Sequence, residues 1–182
     1  MIILAVTHPD TISRNPRSLS EGGRQQALQA ARRLRELVGK QLCLTAVVSS
    51  PKARCLETAI VVAREFGETT RDDGTYNGHI HVTAELDERS GAPNNIQNIN
   101  KAISPFLHDH SKSEDKTVLL SVHGDLANML IDSTTFVEEA ASQGSFTVRP
   151  VIAVFDYSPD KIVVRHCEVL KAGSWISCLQ AV

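Results

Sequence analysis

The chain predicts an α/β fold: a three-layer α/β/α sandwich around a mostly parallel sheet. Three observations carry the prediction. Strand-like and helix-like segments alternate along most of the sequence, the pattern of a layered domain with crossover helices. The apolar runs Met1-Ile-Ile-Leu-Ala-Val6 and Thr117-Val-Leu-Leu-Ser-Val122 are short, rich in β-branched residues and continuous, as in strands buried on both faces of a parallel sheet. Each run leads into a histidine, His8 and His123, and ligands of open α/β sheets bind outside the carboxyl ends of the strands.

The elements follow in order. After the first strand, Leu19-Ser20-Glu21 opens a helix with a serine cap and an acid in its first turn. Ala27, Ala31, Leu34 and Val38 fall on one face of it, and Gly39 ends it. Thr45 to Ser49 is a short strand. Ser50-Pro51 then offers a cap and a first-turn proline for a helix running to about Gly67, with Cys55, Ala59, Ile60 and Ala63 inward. The polar stretch Glu68 to Gly78 reads as loop, His79 to Leu86 as a strand and Asp87 to Asn95 as the next loop. A helix over Ile96 to His108, the strand Thr117 to Val122 and a helix over Gly124 to Ile131 come next. Two late strands, Val151 to Tyr157 and Ile162 to Val169, flank Ser-Pro-Asp-Lys, which predicts a hairpin or tight turn. There is no internal repeat or low-complexity segment.

A length of 182 residues fits one domain spanning 1–182 with an ordinary core. A net charge of −2 and a pI near 6.4 give no overall footprint for nucleic acid or an anionic membrane, so an anion site has to be local. Cys43, Cys55, Cys167 and Cys178 stand far apart without a Cys-x-x-Cys pair, which indicates neither a zinc ribbon nor a disulfide framework. The amino terminus enters a strand at once, without a basic segment or small-residue cleavage site, and no apolar stretch is long enough to span a bilayer. The expectation is a soluble cytoplasmic protein with reduced thiols.

Chemistry gathers where strands end. His8 follows the first strand, Arg54 lies in the first helical turn after the second, Glu88 follows the third and His123 the fourth. In a parallel sheet all four share one crevice. A nucleophile, an anion clamp, a carboxyl acid and a second donor are what phosphoryl transfer through a covalent intermediate requires. Imidazole suits attack on phosphorus because a hydrogen bond to its second nitrogen fixes the tautomer and aims the lone pair. Arginine adds a planar fork of donors, and the helix start after Ser50 adds oriented amides.

Five segments in order resemble the histidine phosphatase superfamily, which includes phosphoglycerate mutases, acid phosphatases and small phosphohistidine phosphatases. They are Val6-Thr7-His8, Leu19-Ser20-Glu21-Gly22-Gly23-Arg24-Gln25-Gln26-Ala27, Ser49-Ser50-Pro51-Lys52-Ala53-Arg54-Cys55-Leu56-Glu57-Thr58-Ala59, Leu86-Asp87-Glu88-Arg89 and Val122-His123-Gly124. The resemblance implies a phosphoglycerate mutase-like fold. It makes His8 the phosphate-accepting histidine, Arg54 the second phosphate-binding arginine, His123 the histidine contacting the transferring group and Glu88 the acid that protonates the leaving group. The family motif begins Arg-His-Gly where this chain has Thr7-His8-Pro9, so Thr7 stands in place of the first phosphate-binding arginine. Arg14, Arg17 and Arg89 are the nearby candidates to replace that charge, and Asn15 or Arg14, according to register, matches the polar residue of the family's loop.

The expected activity is a metal-independent phosphatase acting through a phosphohistidine on a phosphorylated small molecule or phosphoprotein, with no cofactor and no nucleic-acid or membrane partner. The short segment between Glu88 and Thr117 favours a phosphatase over a mutase-type phosphotransferase, because mutases carry a longer covering insertion there. The loss of the first arginine leaves a second alternative, an impaired phosphate-binding or regulatory pseudophosphatase. The pairs His79-x-His81 and His108-x-His110 lack a clustered carboxylate or cysteine, so no metal site is expected.

Overall fold

The computed structural model describes residues 1–9, 11–12, 17–39, 41–67, 79–87, 96–106, 116–123, 150–158 and 161–177. Its strands are β1 (Ile2–Thr7), β2 (Ala46–Ser49), β3 (Ile80–Val82), β4 (Thr117–Val122), β5 (Val151–Ser158), β6 (Lys161–Lys171) and β7 (Ser174–Ser177). Its helices are α1 (Glu21–Val38), α2 (Ala53–Glu65) and α3 (Ile96–Ile103). The strands form one sheet in the order β3-β2-β4-β1-β5-β6-β7.

Only half of that sheet is parallel, which corrects the expectation of a mostly parallel one. The pairs β1/β4, β2/β4 and β2/β3 are parallel, whereas β1/β5, β5/β6 and β6/β7 are antiparallel. Only two residues separate β5 from β6, and two separate β6 from β7, and so short a connection can only return the chain antiparallel. Strand β7 was not expected. It is reached through Ala172-Gly173, both at positive φ (49° and 82°), the conformation that two-residue hairpin turns need.

Alternation along the strands separates two cores. Ile3, Ala5, Val48, Leu120 and Phe155 meet Ile99, Ala102 and Ile103 of α3 on one face. Leu4, Val6, Val47, Leu119 and Val154 meet Ala30, Ala31 and Leu34 of α1 and Ala59, Val62 and Ala63 of α2 on the other. Burying each larger aliphatic side chain contributes roughly 1.5–3 kcal/mol, so both faces stabilise the sheet and the three-layer architecture follows.

Local signals explain the boundaries. Ser20 Oγ accepts the Gly23 N–H at 2.9 Å, and Gly39, at φ 89°, donates its N–H to the Arg35 carbonyl, so α1 starts and stops where its cap and glycine require. Helix α3 ends at Ile103 rather than near His108. Pro105 disfavours helical geometry in the residue before it, and Ser104–Phe106 tightens into a 3-10 turn. Strand β3 is three residues long, followed by a 3-10 turn over Ala84–Leu86 in which Thr83 Oγ1 accepts the Glu85 N–H. Helix α2 starts at Ala53 and not at Pro51, with no side-chain cap. The Ser50 hydroxyl is used elsewhere, as described below. The segments expected as loop over 68–78, as most of the loop after Asp87 and as a helix over 124–131 lie outside the described residues. Among the described residues no helix is long and apolar enough to cross a membrane.

Candidate active site

The site is built from the carboxyl ends of three adjacent parallel strands. Thr7 of β1 pairs with Val122 of β4, and Ser49 of β2 with Ser121 of β4. Two backbone bonds carry the ladder one step further: His8 N–H to the Val122 carbonyl at 3.2 Å, and Ser50 N–H to the Ser121 carbonyl at 3.1 Å. The residues just past the sheet are therefore Ser50, His123 and His8, side by side in the order β2-β4-β1. His123 occupies the middle.

The rings of His8 and His123 meet edge to face with centroids 5.5 Å apart. His8 is half-buried and can be reached from outside, while His123 is 3% exposed. His8 Nδ1 lies 3.0 Å from the Pro9 carbonyl oxygen. A carbonyl only accepts, so Nδ1 carries a proton, and in the neutral ring Nε2 keeps the lone pair. His8 is thus held in the tautomer that a nucleophile at Nε2 needs.

His123 is gripped by the segment that follows β2. Arg54, in the first turn of α2, places Nη2 3.3 Å from His123 Nδ1, and Ser50 Oγ lies 2.8 Å from His123 Nε2. Cys55 Sγ sits 3.8 Å and 3.7 Å from Nδ1 and Nε2, nearly equidistant from the two nitrogens. Helix α2 is anchored in turn by buried hydroxyls. Ser121 Oγ donates to the Cys55 carbonyl at 2.7 Å, and Thr58 Oγ1 to the Arg54 carbonyl at 2.8 Å. With Arg54 itself only 8% exposed, its guanidinium is held at the site and not spread into solvent.

Other expected residues fall differently. Thr7 is buried, and its Oγ1 accepts the Val151 N–H at 2.8 Å, where β5 begins beside β1. Its oxygen serves the sheet, which leaves its proton to be offered elsewhere. Arg17 is exposed. Arg14, Asn15, Glu88 and Arg89 lie outside the described residues. Described neighbours of these residues are paired. Thr11 and Leu19 form an antiparallel bridge, and Ile12 N–H donates to the Ser18 carbonyl at 3.0 Å. Leu19 N–H is held by Glu57 of α2 at 3.2 Å. Asp87, the neighbour of Glu88, pairs with Lys52 at 3.2 Å, which joins the turn after β3 to the loop before α2.

The His79 and His81 rings touch at 4.2 Å between centroids, and His81 also meets Phe106 at 4.6 Å. Burial, and then the charge of His79, pushes the His81 imidazole below its ordinary value. No group of three or more metal-ligating side chains occurs among the described residues, and His108 and His110 lie outside them. Reading the sequence missed Ser50, Cys55 and Lys52 as parts of the site. The signal for Ser50 was its place one step past β2, which the capping reading of Ser-Pro obscured.

The family profile of the histidine phosphatase superfamily (branch 1) matches residues 10–169, beginning just after the Thr7-His8-Pro9 triplet. Among solved structures, the phosphoglycerate mutase of Plasmodium falciparum is 18% identical with a TM-score of 0.54, over 100% of this chain and 96% of that one. A putative phosphohistidine phosphatase from Agrobacterium tumefaciens is 19% identical with a TM-score of 0.57, over 91% and 95%. A mycobacterial glucosyl-3-phosphoglycerate phosphatase is 15% identical with a TM-score of 0.55, over 90% and 96%. At these identities the likeness establishes the fold alone. None of the curated proteins compared matches the sequence.

Proposed function

The chain belongs to the histidine phosphatase superfamily, and from that premise we propose that it is a metal-independent phosphatase working through a phosphohistidine on His8. The observation that carries this reading is the His8 tautomer: Nδ1 is bonded to the Pro9 carbonyl, which assigns the attacking role to Nε2, with the His123 ring at 5.5 Å and Arg54 bonded to His123. In the proposed reaction the Nε2 lone pair forms a bond to phosphorus as the ester oxygen departs with a proton from Glu88. The Glu88 carboxylate then takes a proton from water, whose oxygen displaces His8 and releases inorganic phosphate. Arg54 carries the charge on the phosphoryl oxygens, and His123, hydrogen-bonded to its guanidinium, holds it beside them. The Lys52–Asp87 pair supports the Glu88 role, because it ties the residue before Glu88 to the loop that leads into Arg54. The substrate is a phosphorylated small molecule or phosphoprotein, in keeping with neighbours named as a mutase, a phosphohistidine phosphatase and a sugar-phosphoglycerate phosphatase.

One observation favours a second reading, an impaired phosphate-binding protein. The Thr7 oxygen is committed to Val151, at the position where the resemblance puts the motif's first arginine. A single quenched-reaction experiment tests both. Labelled phosphate should appear on His8, labile in acid and stable in base, be absent from His8→Ala, and form equally well in a chelator. Phosphoserine, or activity lost to the chelator and restored by metal, overturns the mechanism. Vanadate binding without any phosphohistidine establishes the second reading instead.

A further inference from the structure

Both ring nitrogens of His123 are occupied by the protein, and the chemistry of the partners fixes which one bears hydrogen. Arginine has five N–H donors and no acceptor, so at 3.3 Å from Arg54 Nη2 the His123 Nδ1 accepts. Nε2 therefore carries the proton in the neutral ring and donates it to Ser50 Oγ at 2.8 Å. Ser50 Oγ also faces a second obligate donor, the Lys52 N–H at 3.4 Å, which agrees with an oxygen acting as acceptor. Ser50 is fully buried, so water does not substitute for its oxygen. The result is a directed chain in which Arg54 donates to His123 and His123 donates to Ser50.

We propose that Ser50 is a positioning residue: by taking the Nε2 proton of His123 it keeps Nδ1 as the acceptor that holds the Arg54 guanidinium at its angle to the phosphate. The proposal rests on the phosphatase reading for its consequence, but not for the hydrogen bonds themselves. Without the Ser50 oxygen, the neutral ring loses its close Nε2 acceptor, for which the Cys55 sulfur at 3.7 Å is a poor substitute. Transfer of the Nε2 proton to Nδ1, or rotation of the ring, relieves the loss, and either turns a donor or a carbon toward Arg54. Arg54 then keeps its charge and loses its orientation, which weakens anion binding without removing the cation. Ser50 comes from the same short segment as Arg54, so one stretch of chain supplies both the clamp and the residue that aims it.

The test uses nitrogen-15-labelled, ligand-free full-length protein, with His123→Gln to assign the His123 ring signals. The unaltered protein should show His123 protonated on Nε2, bare at Nδ1, with an Nε2 proton that exchanges slowly with water. Ser50→Ala should lose the slow proton and bind inorganic phosphate about three- to tenfold more weakly, the range expected for one neutral hydrogen bond. Ser50→Cys, of similar volume but a poor acceptor, should do the same without leaving a cavity, and Ser50→Thr should restore both readouts. A backbone amide spectrum that superimposes on the parent's shows that each variant is folded. His123 protonated on Nδ1 in the unaltered protein, or an Nε2 proton unchanged in both Ser50→Ala and Ser50→Cys, overturns the assignment. Loss of the slow proton with phosphate binding unchanged overturns the positioning role. A protein that neither binds phosphate nor hydrolyses esters removes the phosphatase reading, while the ring spectrum still decides the Ser50–His123 bond.

Discussion

Replacing Thr7 by valine removes one oxygen and almost nothing else. Thr7 is 3% exposed and Val151 2%, and their bond at 2.8 Å lies one step beyond the last β1/β5 pair, Val6 with Ile152. The hydroxyl thus continues the ladder where the backbone no longer does. Valine keeps the shape, so no cavity opens, but the Val151 N–H is left buried without its acceptor. A stranded buried donor costs about 1–3 kcal/mol. At roughly 2–4 °C per kcal/mol for a chain of this size, a loss near 2 kcal/mol lowers Tm by about 4–8 °C. The threonine proton is the group left to reach a ligand, so turnover of a generic phosphate ester should fall by no more than about tenfold, the contribution of one neutral hydrogen bond. Calorimetry at neutral pH and turnover measured well below Tm read the two effects separately. An unchanged Tm refutes the pinning role of the hydroxyl. A hundredfold loss of turnover with the fold intact refutes the assignment of Thr7 mainly to the sheet.

Three further outcomes are expected. Thr7→Arg breaks the same bond yet adds a charged fork, so it should lower Tm while raising turnover on the order of tenfold or more, and a variant with no gain means the side chain at this position does not face the phosphate. Arg33 of α1 donates from Nε and Nη2 to the Glu168 carboxylate of β6 at 2.7 Å and 2.9 Å, and their side chains are 33% and 12% exposed. Arg33→Ala should therefore destabilise by about 2 kcal/mol, between an exposed and a fully buried pair, and Arg33→Ala with Glu168→Leu should recover most of it in urea denaturation. Equal losses in the single and double variants would show that the pair is not the source. Because folding lowers the His81 affinity for protons, the unfolded chain binds more of them below the ordinary histidine value near 6.5, and stability should fall as the medium is acidified through that region. His81→Asn should flatten that part of the profile of Tm against pH, and an unaltered slope would place the acid sensitivity elsewhere.

Much of this was legible in the residues themselves. Continuous β-branched runs before His8 and His123 marked the two buried strands, and their shared direction brought both histidines to one edge. Ser20 and Gly39 bounded α1, and Ser-Pro-x-x-Arg put Arg54 in the first turn of α2. These are local matters, settled by backbone conformation, side-chain branching and spacing along the chain. What the sequence left open depended on neighbours distant along the chain. Strand β7 follows a turn, Ala172-Gly173, that lacks the usual Asn-Gly or Asp-Gly signal, and the antiparallel pairing of β5 with β1 joins residues about 150 apart in the chain. Ser50 reads as a helix cap until β4 brings His123 within 2.8 Å of it, 73 residues further on. Thr7 reads as a vacancy in a phosphate pocket until β5 delivers the Val151 amide to its oxygen across 144 residues. A hydroxyl bonds to whichever donor or acceptor arrives, and only the assembled sheet determines which one does.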